Sequence, residues 1–262
     1  MKTNQQLNVE NTFLVEIKGL VQGVGFRPFI HRLAVSNNLT GWVENRNDGV
    51  TVKITCTLET LNKLISLIKQ TSPLAANINS IEFRQTEKEK FIDFKIVKSK
   101  TISNLITDIS PDIAVCSDCL KDVKVQKNRI DYLFINCTNC GPRFTIIKAL
   151  PYDRDKTTMN DFEMCPDCRK EYSDITDRRF HAQPVACSVC GPEYSLQYDG
   201  KVIKEIKDII DKMVELIKGK KIVAIKGLGG FFLACDAQSE EAVTRLREKK
   251  IREGKPFAVM FS

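Results

Sequence analysis

Residues 13–27 read Phe-Leu-Val-Glu-Ile-Lys-Gly-Leu-Val-Gln-Gly-Val-Gly-Phe-Arg. This stretch decides the reading of the first hundred residues. Phe13 to Ile17 is a β-rich run, and Phe29 to Val35 carries apolar residues at helical spacing. Between them lies the loop Gly19 to Arg27. At such a strand–glycine loop–helix junction, backbone N–H groups converge on an anion and the helix dipole assists them. Gly23 and Gly25 permit the tight curl. Arg27 brings a guanidinium whose fork matches a phosphate. The dinucleotide pattern is absent, because no third Gly follows at its offset. Without further information, a plain turn with a surface Arg stands beside the anion-binding reading.

Working outward, Trp42–Glu44 and Val50–Ile54 flank Asn47-Asp48-Gly49, a hairpin signal. Residues 58–68 place Leu and Ile on one helical face. Ile78–Phe83 and Phe91–Val97 read as a final pair of strands. The order βαββαβ over 10–100 predicts a ferredoxin-like α/β sandwich of the α+β class, with an antiparallel sheet and both helices on one face.

Residues 110–196 have few apolar runs and eight of the ten cysteines. These form four Cys-x2-Cys pairs: Cys116/Cys119, Cys137/Cys140, Cys165/Cys168 and Cys187/Cys190. Seventeen residues separate the first two pairs and eighteen the second two, the four-cysteine zinc spacing. Eight ligands predict two structural zinc ions. Four thiolates leave no open coordination position, so catalysis at the metal is not expected. Consecutive pairing is the default, and spacing leaves an interleaved one open. The block repeats internally, Cys137-Thr-Asn-Cys-Gly-Pro-Arg-Phe144 echoing Cys187-Ser-Val-Cys-Gly-Pro-Glu-Tyr194. His181 is read as a supporting or surface group, not a ligand. Cys56 and Cys235 are read as core thiols.

From residue 200 to 262, helix and strand periodicity returns. Helices are predicted over 204–218 and 239–250, with Ser239 as an N-cap. Strands are predicted over 221–226 and 257–261. This block reads as an incomplete α/β domain, since it ends on an apolar strand with few partners. The whole chain has 262 residues, 42% of them hydrophobic and 28% charged, an ordinary globular composition that excludes wholesale disorder. No apolar run reaches the ~18 residues of a membrane span, and the N-terminus has no secretory apolar segment. A reducing, cytoplasmic location follows as the expectation, with metal binding favoured over disulfides. The net charge is +7, with +5 in residues 1–100, −3 in 101–200 and +5 in 201–262. The acidic middle argues against nucleic acid as a partner, because phosphate backbones need clustered Lys/Arg. A zinc-scaffolded nucleic-acid-binding module and an inactive interaction fragment remain as rival readings.

Val21-Gln22-Gly23-Val24-Gly25-Phe26-Arg27, with Gly41-Trp42-Val43-Glu44-Asn45 and Asp48-Gly49, closely resembles the acylphosphatase pattern over about 12–99. The resemblance implies that Arg27 and the backbone of 21–26 hold the phosphate of an acyl phosphate. It also implies that Asn45 orients the attacking water. The cysteine block, with Cys140-Gly-Pro-Arg143, Pro151-Tyr-Asp-Arg154 and Asp177 to Pro184, extends the likeness to HypF-type carbamoyltransferases, maturation factors of nickel–iron hydrogenases. Residues 226–236 and 246–257 resemble the start of that family's YrdC-like nucleotide-binding domain. The family implies a relay. Carbamate is released from carbamoyl phosphate, ATP with Mg activates it, and the carbamoyl group passes to a cysteine of a HypE partner. By the same resemblance Lys226, Lys249, Arg252 and Lys255 would contact the nucleotide; the alternative for the basic cluster is a solvated helix end favourable to the dipole. Phe232 stands where the family's Gly-Gly-Phe-His-Leu stretch has His. The transferase domain has no counterpart in the sequence.

Overall fold

The computed structural model describes residues 9–101, 106–252 and 254–261. Parts of the N-terminal stretch read for a signal, with Glu253 and Ser262 of the third block, lie outside the described residues. Residues 1–192 form one compact unit and 193–262 a second.

In the first unit, β1 (Asn11–Leu20), α1 (Phe26–Ser36), β2 (Thr40–Arg46), β3 (Gly49–Cys56), α2 (Leu58–Thr71), β4 (Asn77–Thr86) and β5 (Phe94–Ile96) follow one another. The sheet runs β4-β1-β3-β2-β5. Alternate residues Phe13, Val15 and Ile17 of β1 face the core, where Ile30 and Ala34 of α1 and Leu61, Leu64 and Ile68 of α2 meet them. That is the period of two against the period of 3.6. The final strands do not pair with each other. β4 adds to β1 antiparallel, whereas β5 crosses to the far edge and runs parallel to β2. The crossing segment is pinned by Glu89, whose N–H donates to Thr12 Oγ1 and whose carbonyl accepts from Thr55 Oγ1, both at 2.8 Å.

The β2–β3 hairpin turns on Asn47-Asp48, with Arg46 paired to Gly49. Gly49 is needed for its neighbour as much as for the turn. Its φ is +153°, and a Cβ there would lie 2.3 Å from the Ile17 carbonyl oxygen.

Beyond residue 106 the first unit holds two short helices, α3 (Ser117–Val125) and α4 (Pro166–Ser173), each opening on a cysteine, Cys116 and Cys165. Apolar packing is thin here. Two small clusters, each including cysteines, replace a continuous core.

The second unit contains β6 (Leu196–Tyr198), β7 (Lys201–Ile203), α5 (Ile206–Lys218), β8 (Val223–Lys226), β9 (Phe231–Ala234) and α6 (Glu240–Lys249). β6 and β7 form a hairpin closed by Asp199 (φ 52°) and Gly200 (φ 73°), the left-handed pair that a two-residue turn requires. This hairpin spans the 196/200 boundary expected from the sequence. Ser239 does cap α6, accepting from the Ala242 amide at 3.3 Å. The predicted strand 257–261 is not one. Phe257 to Phe261 have no ladder partner among the described residues, and Val259, Met260 and Phe261 are exposed. Extended backbone becomes a strand only when a neighbour supplies N–H and C=O groups. Cys56 is buried, with burial pushing its thiol up to about 11. Cys235 is only half-buried and is not the core thiol expected.

Candidate functional site

The loop between β1 and α1 has the shape of an anion cradle. Gly23 and Gly25 take φ of 73° and 76°, and Gly25 caps α1 without a side-chain hydrogen bond. The amides of Gln22 to Phe26 donate to no acceptor among the described residues. Unpaired N–H groups at a helix start are the donors an anion takes up. Gln22 anchors the loop to the β2–β3 turn, its Nε2 donating to the carbonyls of Arg46 (2.5 Å) and Gly49 (2.9 Å). Arg27 is buried at the start of α1, and Asn45 is buried on β2. Asn45 Oδ1 has no partner among the described residues.

The cysteine-rich region covers this loop. Arg27 Nη2 and Asn45 Nδ2 both donate to the Tyr152 carbonyl, at 3.0 and 3.2 Å. The Tyr152 N–H donates to Gln22 Oε1 at 2.8 Å. Asp153 pairs with Arg27 Nη1 at 2.7 Å, and Ser99 Oγ accepts from the same nitrogen at 3.2 Å. Arg143 is almost fully buried. Its Nε donates to the Gly23 carbonyl and its Nη2 to those of Cys137 (2.9 Å) and Thr138 (3.0 Å). Thr138, His181 and Gln183 line the same small cleft. Burial, then the Arg27 and His31 charges, pull His181 down to about 4, so its ring is neutral at pH 7. Burial holds the Tyr152 phenol above its ordinary value. His31, also lowered by burial, reaches from α1 to Phe180, with ring centroids 5.5 Å apart.

The eight paired cysteines gather into two groups, Cys116/Cys119/Cys137/Cys140 and Cys165/Cys168/Cys187/Cys190. The pairing is therefore consecutive. Neighbouring Sγ atoms lie 3.5–3.8 Å apart in the first group and 3.7–3.8 Å apart in the second. A tetrahedron with Zn–S bonds of about 2.3 Å has edges of about 3.8 Å, so both groups fit zinc. The amides of Asn139 and Val189 each point at a knuckle sulfur from 3.4 Å. Each finger also lends an arginine to the other. Arg129 Nη2 donates to Cys168 Sγ at 3.3 Å and pairs with Glu171. Arg178 Nη1 donates to Cys119 Sγ at 3.1 Å and pairs with Asp122. Residues 129 and 178, 122 and 171, and 119 and 168 are each 49 apart. The exchange therefore follows the internal repeat.

Comparison with known proteins follows these features closely. The acylphosphatase family matches residues 13–96, and the HypF finger matches 115–147 and 164–197. The Sua5/YciO/YrdC family, described as telomere recombination, matches 215–262. The carbamoyltransferase HypF of Rhodobacter capsulatus is 41% identical over 246 residues, 94% of this chain and 33% of that protein. A crystal structure of full-length HypF in a phosphate- and nucleotide-bound form superposes with a TM-score of 0.87 at 45% identity, over 96% of this chain and 33% of that one. Over nearly its whole length the chain is similar to HypF carbamoyltransferases. Residues 13–96 belong to the acylphosphatase family. The acylphosphatase of Caldivirga maquilingensis is 44% identical over 85 residues, 31% of this chain and 88% of that protein. The chain spans about a third of the length of the HypF relatives it matches.

In the second unit, residues 215–262 match the YrdC-like family, and the four basic residues stand there in different settings. Lys226 Nζ lies over the Phe231 ring, 5.4 Å from its centroid. Arg252 donates to the Pro256 carbonyl at 3.1 Å, and Lys249 and Lys255 are exposed. Arg143, Tyr152 and Asp153, which pack on the β1–α1 loop, are not legible in the sequence as site residues. Their signal was present in the HypF stretches Cys140–Arg143 and Pro151–Arg154, which the resemblance marks without a role. No helix among the described residues is long and apolar enough to cross a membrane.

Proposed function

We propose that this chain hydrolyses small acyl phosphates at the Arg27 loop, with carbamoyl phosphate as the substrate. The observation that carries this reading is the cradle of unpaired amides from Gln22 to Phe26 beside the buried pair Arg27 and Asn45. The phosphoryl oxygens would take the N–H groups of 22–26 and the guanidinium of Arg27. Val21 shapes the entry to the loop. Asn45 would act through its two ends. Because Nδ2 faces the Tyr152 carbonyl, Oδ1 is the end left to accept a hydrogen bond from water and aim its oxygen at phosphorus. Attack breaks the bond between phosphorus and the acyl oxygen, releasing inorganic phosphate and carbamate. Such a step needs charge neutralisation and a placed water more than a strong base.

In this reading the hydrolysis opens a carbamoyl transfer serving nickel–iron hydrogenase maturation, in which a HypE-like partner receives the group. Lys226, Lys249, Arg252 and Lys255 would meet ATP and Mg, and two zinc ions would hold the fingers. A cytoplasmic location accords with eight thiols kept as metal ligands. The test is phosphate release from carbamoyl phosphate. Arg27→Ala and Asn45→Ala should each lose at least ~100-fold, the scale of removing one transition-state donor. Full activity in both variants would sink the site.

A further inference from the structure

We infer that the finger region completes the acyl phosphate site, with Asp153 as a positioning residue for Arg27. The inference rests on the Arg27 loop being the hydrolytic site. Asp153 lies 125 or more residues along the chain from that loop, yet its carboxylate pairs with Arg27 Nη1 at 2.7 Å. The adjoining Tyr152 carbonyl takes Arg27 Nη2 and Asn45 Nδ2 together. One peptide segment thus fixes the guanidinium plane and the amide of Asn45 at once. Gln22 holds that segment in turn, through the Tyr152 N–H.

The carboxylate could instead stand where substrate must go, but two observations favour positioning. The amides of Gln22 to Phe26 are not engaged by Asp153 or by any other acceptor among the described residues. Asp153 is also absent from the lining of the cleft in front of the loop, where Arg27, Asn45 and Tyr152 all appear. It grips Arg27 from outside the cleft. An Arg side chain has several soft torsions, and a carboxylate behind it removes that freedom before substrate arrives. Residues of the finger region also line the cleft. The Tyr152 carbonyl, Thr138 and Gln183 are polar groups suited to a compact, polar acyl end such as a carbamoyl group.

The experiment uses the full zinc-loaded chain. Carbamoyl phosphate hydrolysis and competitive inhibition by inorganic phosphate are measured for wild type, Asp153→Asn, Asp153→Glu and Arg27→Ala, with zinc content and the thermal transition as controls. Asp153→Asn should lose roughly 10- to 100-fold in kcat/KM, the scale of a misplaced catalytic group. Phosphate should inhibit it more weakly, zinc should be retained, and Asp153→Glu should recover part of the loss. Faster turnover with tighter phosphate inhibition in Asp153→Asn would mean that the carboxylate competes with substrate, overturning the inference. Unchanged kinetics in both Asp153 variants, with Arg27→Ala inactive, would overturn it while leaving the proposed function standing. An active Arg27→Ala would fell the proposed function itself.

Discussion

In the first finger Cys140-Gly141-Pro142 leads into Arg143, and in the second Cys190-Gly191-Pro192 leads into Glu193. The frames around them are the same. Each has a helix opening on a cysteine, a knuckle amide aimed at sulfur, and an arginine lent across to the other finger. The residue after the Gly-Pro is used differently. Arg143 is buried and gives its donors to the carbonyls of Gly23, Pro142, Cys137 and Thr138, whereas Glu193 is exposed. A second position diverges in the same way. Asp131 and His181 both take left-handed φ, 55° and 54°. Their amides donate to equivalent helix carbonyls, those of Val123 and Tyr172. Asp131 is exposed, while His181 packs between Tyr172 and Phe180. Duplication supplies the scaffold, and a few side chains adapt one copy to grip the β1–α1 loop.

The largest effect should come from withholding zinc from the two four-cysteine sites, one in each copy. Structural zinc contributes on the order of 10 kcal/mol or more in finger peptides, and the finger clusters are too small to replace it. Chelation should expose the amides of residues 113–191 to hydrogen exchange while the sheet of residues 11–96 stays protected by its own apolar core. Protection of both regions without zinc would contradict the metal's structural role.

Next comes the contrast after the Gly-Pro. Arg143→Ala should cost about 3 kcal/mol, because it leaves several buried carbonyls without donors. Glu193→Ala, at an exposed position, should stay within about 0.5 kcal/mol. Denaturant unfolding of the two variants measures this directly, and equal costs would erase the distinction between the fingers.

The exchanged arginines give a smaller and more symmetric effect. Arg129→Met should weaken zinc at Cys165/Cys168/Cys187/Cys190, and Arg178→Met should weaken it at Cys116/Cys119/Cys137/Cys140. The range is about 10- to 100-fold, typical for groups that support metal ligands. Arg129 is fully buried and Arg178 is 28% exposed, so Arg129→Met should show the larger loss. Competition with a chromophoric chelator reads both affinities. Weakening confined to the variant's own finger would refute the exchange.

A further effect, confined to acid pH, is pH dependence from His181. Its folded pKa, about 4, lies below the ordinary value of 6.5. Between those values the unfolded chain binds more protons, so stability falls as pH drops from 6.5 towards 4 and is complete above 6.5. His181→Gln should flatten that part of the curve relative to wild type. Parallel pH profiles would show that the ring is not held neutral.

Local pattern made much of this molecule legible. The run from Phe13 to Arg27 held a strand, a cradle and a helix start within one stretch, and Cys-x2-Cys spacing needs only a short chain to bring ligands together. Asp199-Gly200, between β6 and β7, is an equally local hairpin signal. What stayed hidden depends on distance along the chain. The grip of Tyr152 and Asp153 on Arg27 joins residues over a hundred positions apart, and no periodicity encodes it. The crossing of β5 to the far sheet edge and the unpaired backbone of 257–261 likewise depend on which neighbours are present, since a strand's identity lies partly in its partner.

Inorganic phosphate should bind where the loop amides are free. Titrating phosphate into the zinc-loaded chain and following backbone amide resonances tests this most directly. The predicted result is a set of shifts concentrated at residues 22–26, abolished in Arg27→Ala. Shifts confined to Lys226, Lys249 and Lys255, with the loop amides unmoved, would contradict it.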